Sequence, residues 1–203
     1  MKIVIIGANG TIGKRVVEFL KDGHEIITVG KTSGEHQVDI SDEKAVRALF
    51  EKIGKFDALI SAAGDVAFAP LKDLTTDHWE LGIRSKFMGQ VNLVQIGKEF
   101  INDGGSFTLT SGVLSQTFIA AGTSATAINR AVEGFAQAAA AEIGRGIRIN
   151  VVSPDMLEDS KAAYGAFFPG HYGVAGCRVA QAYLKSALGI ETGKVYKALN
   201  NDY

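Results

Sequence analysis

Short, continuous apolar runs recur along the chain: KIVIIG at 2–7, EIITVG at 25–30, FDALISAAG at 56–64, SFTLTSG at 106–112, IRINVVSP at 147–154 and KVYKAL at 194–199. Runs of this length without polar alternation predict strands buried on both faces. HQVDI at 36–40 is a weaker member of the series. Between the runs the apolar positions take helical spacing. In TIGKRVVEFLKD, Ile12, Val16, Phe19 and Leu20 fall on one face, and in DEKAVRALFEKI, Val46, Leu49, Phe50 and Ile53 do the same. Helical patterns also cover about 76–101, 123–143 and 173–189. Strand and helix alternate throughout, which predicts an α/β fold with one doubly wound parallel sheet and helices on both faces. Ligands of such sheets bind beyond the carboxyl ends of the strands, so the segments that follow each apolar run are where chemistry is expected.

Composition narrows the picture. The 203 residues are 46% hydrophobic and 21% charged, which suits a single domain over 1–203, and no repeat or proline/serine-rich linker divides them. Lys plus Arg number 21 against 22 for Asp plus Glu, so no overall field draws nucleic acid or an anionic membrane, and neither is expected as a partner. The apolar segment before Gly7 is too short for a signal-peptide core or a membrane span. The single cysteine, Cys177, excludes an internal disulfide and reads as a small buried hydrophobe in a cytoplasmic protein. His24, His36 and His78 lack metal-ligand spacing, and no metal is expected.

GANGTIG at 7–13 directly follows the first strand and opens the first helix. A diphosphate must approach backbone amides closely at a helix start, where the dipole favours it and side chains obstruct it. Gly7, Gly10 and Gly13, with Asn9, Thr11 and Ile12 between them, are therefore candidate dinucleotide contacts. The second strand ends in Lys31, Thr32 and Ser33 with no acid at that turn. A cation beside hydroxyls suits a ribose 2′-phosphate, which favours NADP over NAD.

Further landmarks follow in order: VDI at 38–40, SAAG at 61–64, DHWELGIRSKFMGQVNLV at 77–94, SFTLTSG at 106–112, AVEGFAQAAAAEIGRGIRINVVSP at 131–154 and ETGKVY at 191–196. Together they resemble the short-chain dehydrogenase/reductase family along nearly the whole chain. The resemblance implies a Rossmann-like fold and a nicotinamide cofactor. It puts Asp39 and Ile40 beside the adenine, Ser61, Ala62, Ala63 and Gly64 against the cofactor ribose, and Pro154 and Asp155 beside the nicotinamide. Asp155 departs from the family, which has glycine there.

The family also carries a Tyr and, four residues later, a Lys ahead of an apolar helix like AVEGF. That spacing puts both on one helical face, where the ammonium makes the phenol a usable acid at neutral pH. In this register the two positions are Ala125 and Asn129. The family's upstream Ser falls at Gly112, or at Ser111 with a shift of one, and its helical Asn falls at Lys86. The Asn and the Lys have thus exchanged places, and Lys86, Ser111 and Asn129 are the candidate catalytic set. A stretch at 155–173 stands where the family covers its substrate, with Tyr164, His171 and Tyr172 as polar groups and Phe167, Phe168 and Pro169 as an apolar lining.

These readings give an NADP(H)-dependent oxidoreductase with a rearranged site, reducing a small carbonyl compound. The alternative is a dinucleotide-binding sensor or regulator that has lost turnover. The small-residue run AQAAAAEI at 136–143 resembles the family's dimer-forming helix, so a homodimer or homotetramer is expected.

Overall fold

The computed structural model describes residues 1–200. Seven strands form one parallel sheet: β1 (Lys2–Ile6), β2 (Glu25–Gly30), β3 (His36–Gln37), β4 (Phe56–Ser61), β5 (Ile101–Thr110), β6 (Arg148–Pro154) and β7 (Val195–Ala198), in the spatial order β3-β2-β1-β4-β5-β6-β7. The chain moves outward from β1 to β3 and then returns to place β4 on the other side of β1. The crevice between β1 and β4, where the order reverses, is the place such a sheet leaves for a ligand.

The helices are α1 (Thr11–Leu20), α2 (Glu43–Ile53), α3 (Thr76–Gly82), α4 (Gly89–Gly97), α5 (Thr123–Glu142), the short α6 (Lys161–Tyr164) and α7 (Gly176–Leu188). Local chemistry sets their ends. The Asp42 carboxylate accepts from the amides of Lys44 and Ala45 to start α2, and Gly54 ends it at φ +73°. Thr75 and His78 cap the start of α3 reciprocally. Helix α1 differs: Gly10 precedes it with no side-chain cap and no acid in its first turn.

The strands bury both faces. On one, Val4, Leu59, Phe107 and Val151 pack against α2, α4 and α5 through Phe50, Leu93 and Val132. On the other, Ile3, Ile5, Ala58 and Ile60 meet α1 and α7 through Val16, Leu20, Val179 and Tyr183. Among the described residues, no helix is long and apolar enough to cross a membrane.

Three expectations are corrected. Phe19 is 41% exposed, because Gly13, Val16 and Leu20 supply the buried face of α1. Cys177 is exposed, since the second residue of α7 precedes the turn at which that helix meets the core. The helix expected over 76–101 is broken: a π-helical turn at Ile83–Met88 joins α3 to α4, and β5 already begins at Ile101. Close packing brackets the π turn, for a Cβ on Gly82 would lie 2.8 Å from Ile128 and one on Gly89 2.6 Å from Ile40.

Candidate active site

A cleft of about 410 Å³ opens at the switch point, lined among others by Gly7, Asn9, Gly10, Lys31, Ser33, Asp39, Ile40, Ala62, Ala63 and Gly64. The glycines of the turn divide their work. Gly7 has φ +78°, and a Cβ there would lie 2.5 Å from the Ala62 carbonyl oxygen; one on Gly13 would lie 2.0 Å from the Gly7 oxygen. These two let the turn pack on β4 and α1 pack on the turn. At Gly10 such a Cβ would meet only the Gly7 oxygen, at 3.3 Å, and the residue lines the cleft at the helix start.

At the outer end, Asn9 Nδ2 donates to Ser33 Oγ at 3.0 Å, and the Lys31 ammonium pairs with Asp39 at 2.8 Å. Lys31 and the Ser41 hydroxyl and amide hydrogen-bond the Asp39 carboxylate and hold it down at about 2, well under the ordinary value. Lys31 remains 70% exposed, so the pair is a loose one that an incoming anion can break.

At the inner end, polar groups from facing helices meet at the end of β5. From the π turn, the stem of Lys86 packs on Gly64, whose Cβ would lie 2.6 Å from the Lys86 Cα, and its Nζ donates to the Ser111 carbonyl at 2.8 Å. Desolvation pulls the Lys86 ammonium down to about 8, against an upward pull from the carboxylates of Asp65 and Glu133. One turn later the buried Gln90 donates to the carbonyls of Lys86 and Thr110 and accepts from the Thr110 amide. From α5, Asn129 lies so near that a Cβ on Gly112 would be 3.1 Å from its Nδ2, and its buried Oδ1 has no hydrogen-bond partner among the described residues. Glu133, one turn beyond, accepts from the hydroxyls of Ser111 and Ser115, both at 2.7 Å.

The three sequence candidates therefore gather around Ser111 and Gly112. Ser111 Oγ is committed as a donor to Glu133 and must turn to donate elsewhere. Ala125 is sealed with Val113 and Leu114 in a small apolar cluster that also takes Val66, Ile119 and Phe168.

The remaining candidates lie outside the cleft lining. Thr11 lines an adjoining depression of about 540 Å³ with Lys14, Arg15 and Asp159. Ile12 packs toward the core beside α7, Gly13 and Ser61 are buried, and Thr32 is exposed. Pro154 pairs with Ala198 in the sheet. Asp155 is buried and accepts from the Met156 amide at 2.7 Å and faces His171 Nδ1 at 3.1 Å.

Sequence reasoning missed Gln90 and Glu133. Each stands four residues after a singled-out position, Lys86 and Asn129, and so on the same helical face; that spacing was the available signal.

The chain belongs to the short-chain dehydrogenase/reductase family, and its residues 2–191 match the family model described as enoyl-(acyl carrier protein) reductase. It is 45% identical to the crystal structure of the protein lin1944 from Listeria innocua, covering 97% of this chain and 98% of that one with a TM-score of 0.95. A small-chain dehydrogenase solved in complex with NADPH is 30% identical over 97% of this chain and 95% of its own, with a TM-score of 0.87. Among curated proteins, D-threitol dehydrogenase of Mycolicibacterium smegmatis is 26% identical over 167 residues, 75% of this chain. The chain spans 64% of that relative's length.

Proposed function

We propose that this chain is an NADP(H)-dependent oxidoreductase with a rearranged active site that reduces a small carbonyl compound. The carrying observation is the pairing of the open cleft with a desolvated Lys86 ammonium against its floor residue Gly64.

The residues present fit the dinucleotide. Gly10 leaves the start of α1 uncapped for a diphosphate, Lys31 with Asn9 and Ser33 offers a cation and polar groups to a 2′-phosphate, and the orphaned Asn129 Oδ1 calls for a donor such as a ribose hydroxyl. Asp39 and Ile40 would flank the adenine, Ala62, Ala63 and Gly64 a ribose, and Pro154 and Asp155 the nicotinamide end. The NADPH complex of the 30% identical relative supports the same cofactor. When bound, the cofactor supplies the hydride. Lys86 supplies the cation from α4's side of the site, Asn129 the amide from α5, and Ser111 holds a substrate oxygen once its hydroxyl turns from Glu133. The run 136–143 at the end of α5 and its cap, with Gln137 and Ala138 exposed, supports a homodimer or homotetramer.

Titration with NADPH and NADH, followed by NADPH oxidation against a carbonyl panel, tests this reading. Tighter binding of NADPH and measurable turnover are expected, with Lys86→Ala lowering both. No affinity for either dinucleotide would refute it.

The sealing of Ala125 in an apolar cluster favours a second reading, a dinucleotide-binding sensor without turnover, because no proton donor stands at that position. Its mark is NADPH binding with a silent carbonyl panel.

A further inference from the structure

Carbonyl reduction needs a proton as well as a hydride, and neither Ala125 nor Asn129 offers one. We infer that Asp155 and His171 form the missing proton-donating pair, with His171 as donor and Asp155 as its positioning residue; this rests on the oxidoreductase reading above.

Three observations carry it. First, Asp155 follows the last residue of β6, at the carboxyl end of the sheet where ligands of this topology bind. Its Oδ1 accepts from the Met156 amide and stands 3.1 Å from His171 Nδ1. A carboxylate oxygen only accepts, so Nδ1 carries the hydrogen and Nε2 is the nitrogen left for exchange. Both side chains are well shielded, 5% exposed for Asp155 and 14% for His171, which leaves the carboxylate little alternative partner in water.

Second, the histidine is held in place. Val174 donates to the Met156 carbonyl at 2.8 Å, Glu158 donates to that of Val174 at 3.1 Å, and the Asn200 amide bonds the Gly173 carbonyl at 3.1 Å. The segment from 156 to 174 is thus clipped at its base, and Arg15 ties its Asp159 to α1 at 2.7 Å. Third, side-chain packing links the pair, through Phe168, to the cluster where a phenol is lacking. The His171 ring stands edge-on to Phe168 with centroids 5.3 Å apart, and Phe168 packs against the cluster that encloses Ala125.

NADPH, when bound, would supply the hydride to the substrate carbonyl carbon and leave as NADP⁺; the carbonyl oxygen takes the proton that His171 holds at Nε2. The C=O π bond becomes an O–H bond, and the imidazolium becomes neutral imidazole with Nδ1–H still bonded to Asp155. Water then returns a proton to Nε2.

The test follows NADPH oxidation by 2,3-butanedione and 9,10-phenanthrenequinone. His171→Ala is expected to lower kcat by ~10²- to 10⁴-fold with NADPH affinity unchanged. Added imidazole should restore part of the lost kcat, a rescue that a merely structural histidine would not show. Asp155→Asn is expected to lower kcat at constant KM, and to add nothing in the His171→Ala background. His171→Gln serves as the second variant should His171→Ala fold poorly. Unchanged kcat in both histidine variants, or a loss that imidazole does not relieve, overturns the pair and leaves the oxidoreductase reading standing. NADPH binding with neither probe oxidised by the unaltered protein also overturns it. Absence of NADPH binding removes the functional reading itself, and the pair with it.

Discussion

Replacing Lys86 by methionine should make the protein more stable at neutral pH while impairing its site. Desolvation lowers the Lys86 ammonium from 10.5 to about 8, a value that already contains the attraction of Asp65 and Glu133. At ~1.4 kcal/mol per unit, keeping this group charged in the fold costs on the order of 3 kcal/mol relative to the unfolded chain. Methionine keeps most of the stem that packs on Gly64 and removes the charge, but leaves the Ser111 carbonyl without its donor, which costs about 1 kcal/mol. The net expectation is a gain of roughly 2 kcal/mol at pH 7, or about 4–8 °C in melting temperature for a chain of this size.

The sign of the pH dependence follows from the lowered value. Between about 8 and 10.5 the unfolded chain still holds the proton that the folded one has released, so Lys86 makes stability rise with pH across that window. Urea midpoints of both proteins at pH 7 and pH 10 isolate the effect, because every other titrating group is common to them. The methionine variant's advantage should be largest at pH 7 and should mostly vanish by pH 10. A variant less stable at pH 7, or an advantage that does not change with pH, would refute a desolvated ammonium at this position.

Other substitutions probe the cleft and the apolar cluster. Gly7→Ala combines φ +78° with a Cβ 2.5 Å from a backbone oxygen, so a loss of roughly 2–5 kcal/mol in denaturation and weakened NADPH binding are expected. Lys31→Ala should weaken NADPH by roughly 10- to 100-fold, measured by titration, and leave NADH affinity nearly unchanged; equal losses for both would show that Lys31 does not meet a 2′-phosphate. Ala125→Tyr forces a ring among Val113, Leu114 and Phe168, so a fall of about 1–3 kcal/mol in stability is expected, and an undiminished melting temperature would mean that the cluster opens readily.

The sheet was legible because its central strands β1, β4 and β6 are short apolar runs buried on both faces, and the cleft because GANGTIG follows the first of these runs directly. The ends of elements were less so. Helical spacing was read over about 76–101, yet the backbone takes a π turn at Ile83–Met88, bracketed by the close packing of Gly82 on Ile128 and Gly89 on Ile40. Those partners are remote in sequence, and periodicity carries no trace of them. The same holds for Asp39, which faces Lys31 from beyond the next turn, and for Glu133, whose charge on a helix reads as solvated until Ser111 and Ser115 are brought to it. His171 was one of three polar candidates in its segment. Tyr164 and Tyr172 are exposed, and only the fold turns the histidine toward Asp155.

The proposed exchange of Lys and Asn between facing helices would change what each helix can do. Lys86 with Gln90, and Asn129 with Glu133, form two pairs spaced by one turn that reach the end of β5 from opposite sides. An ammonium on α5 would lie one turn from Glu133, whereas on the π turn it meets a backbone carbonyl and leaves that carboxylate to two serines. The Lys86 cation is partly desolvated and the Asn129 Oδ1 beside it has no hydrogen-bond partner among the described residues, two features of the kind that gather at functional sites. Both features support the working site proposed above despite Ala125. Under that proposal a return to the family's order requires both positions at once: Asn129→Lys alone would set two ammonium groups around Ser111 and Gly112, where their mutual repulsion adds to the desolvation of each.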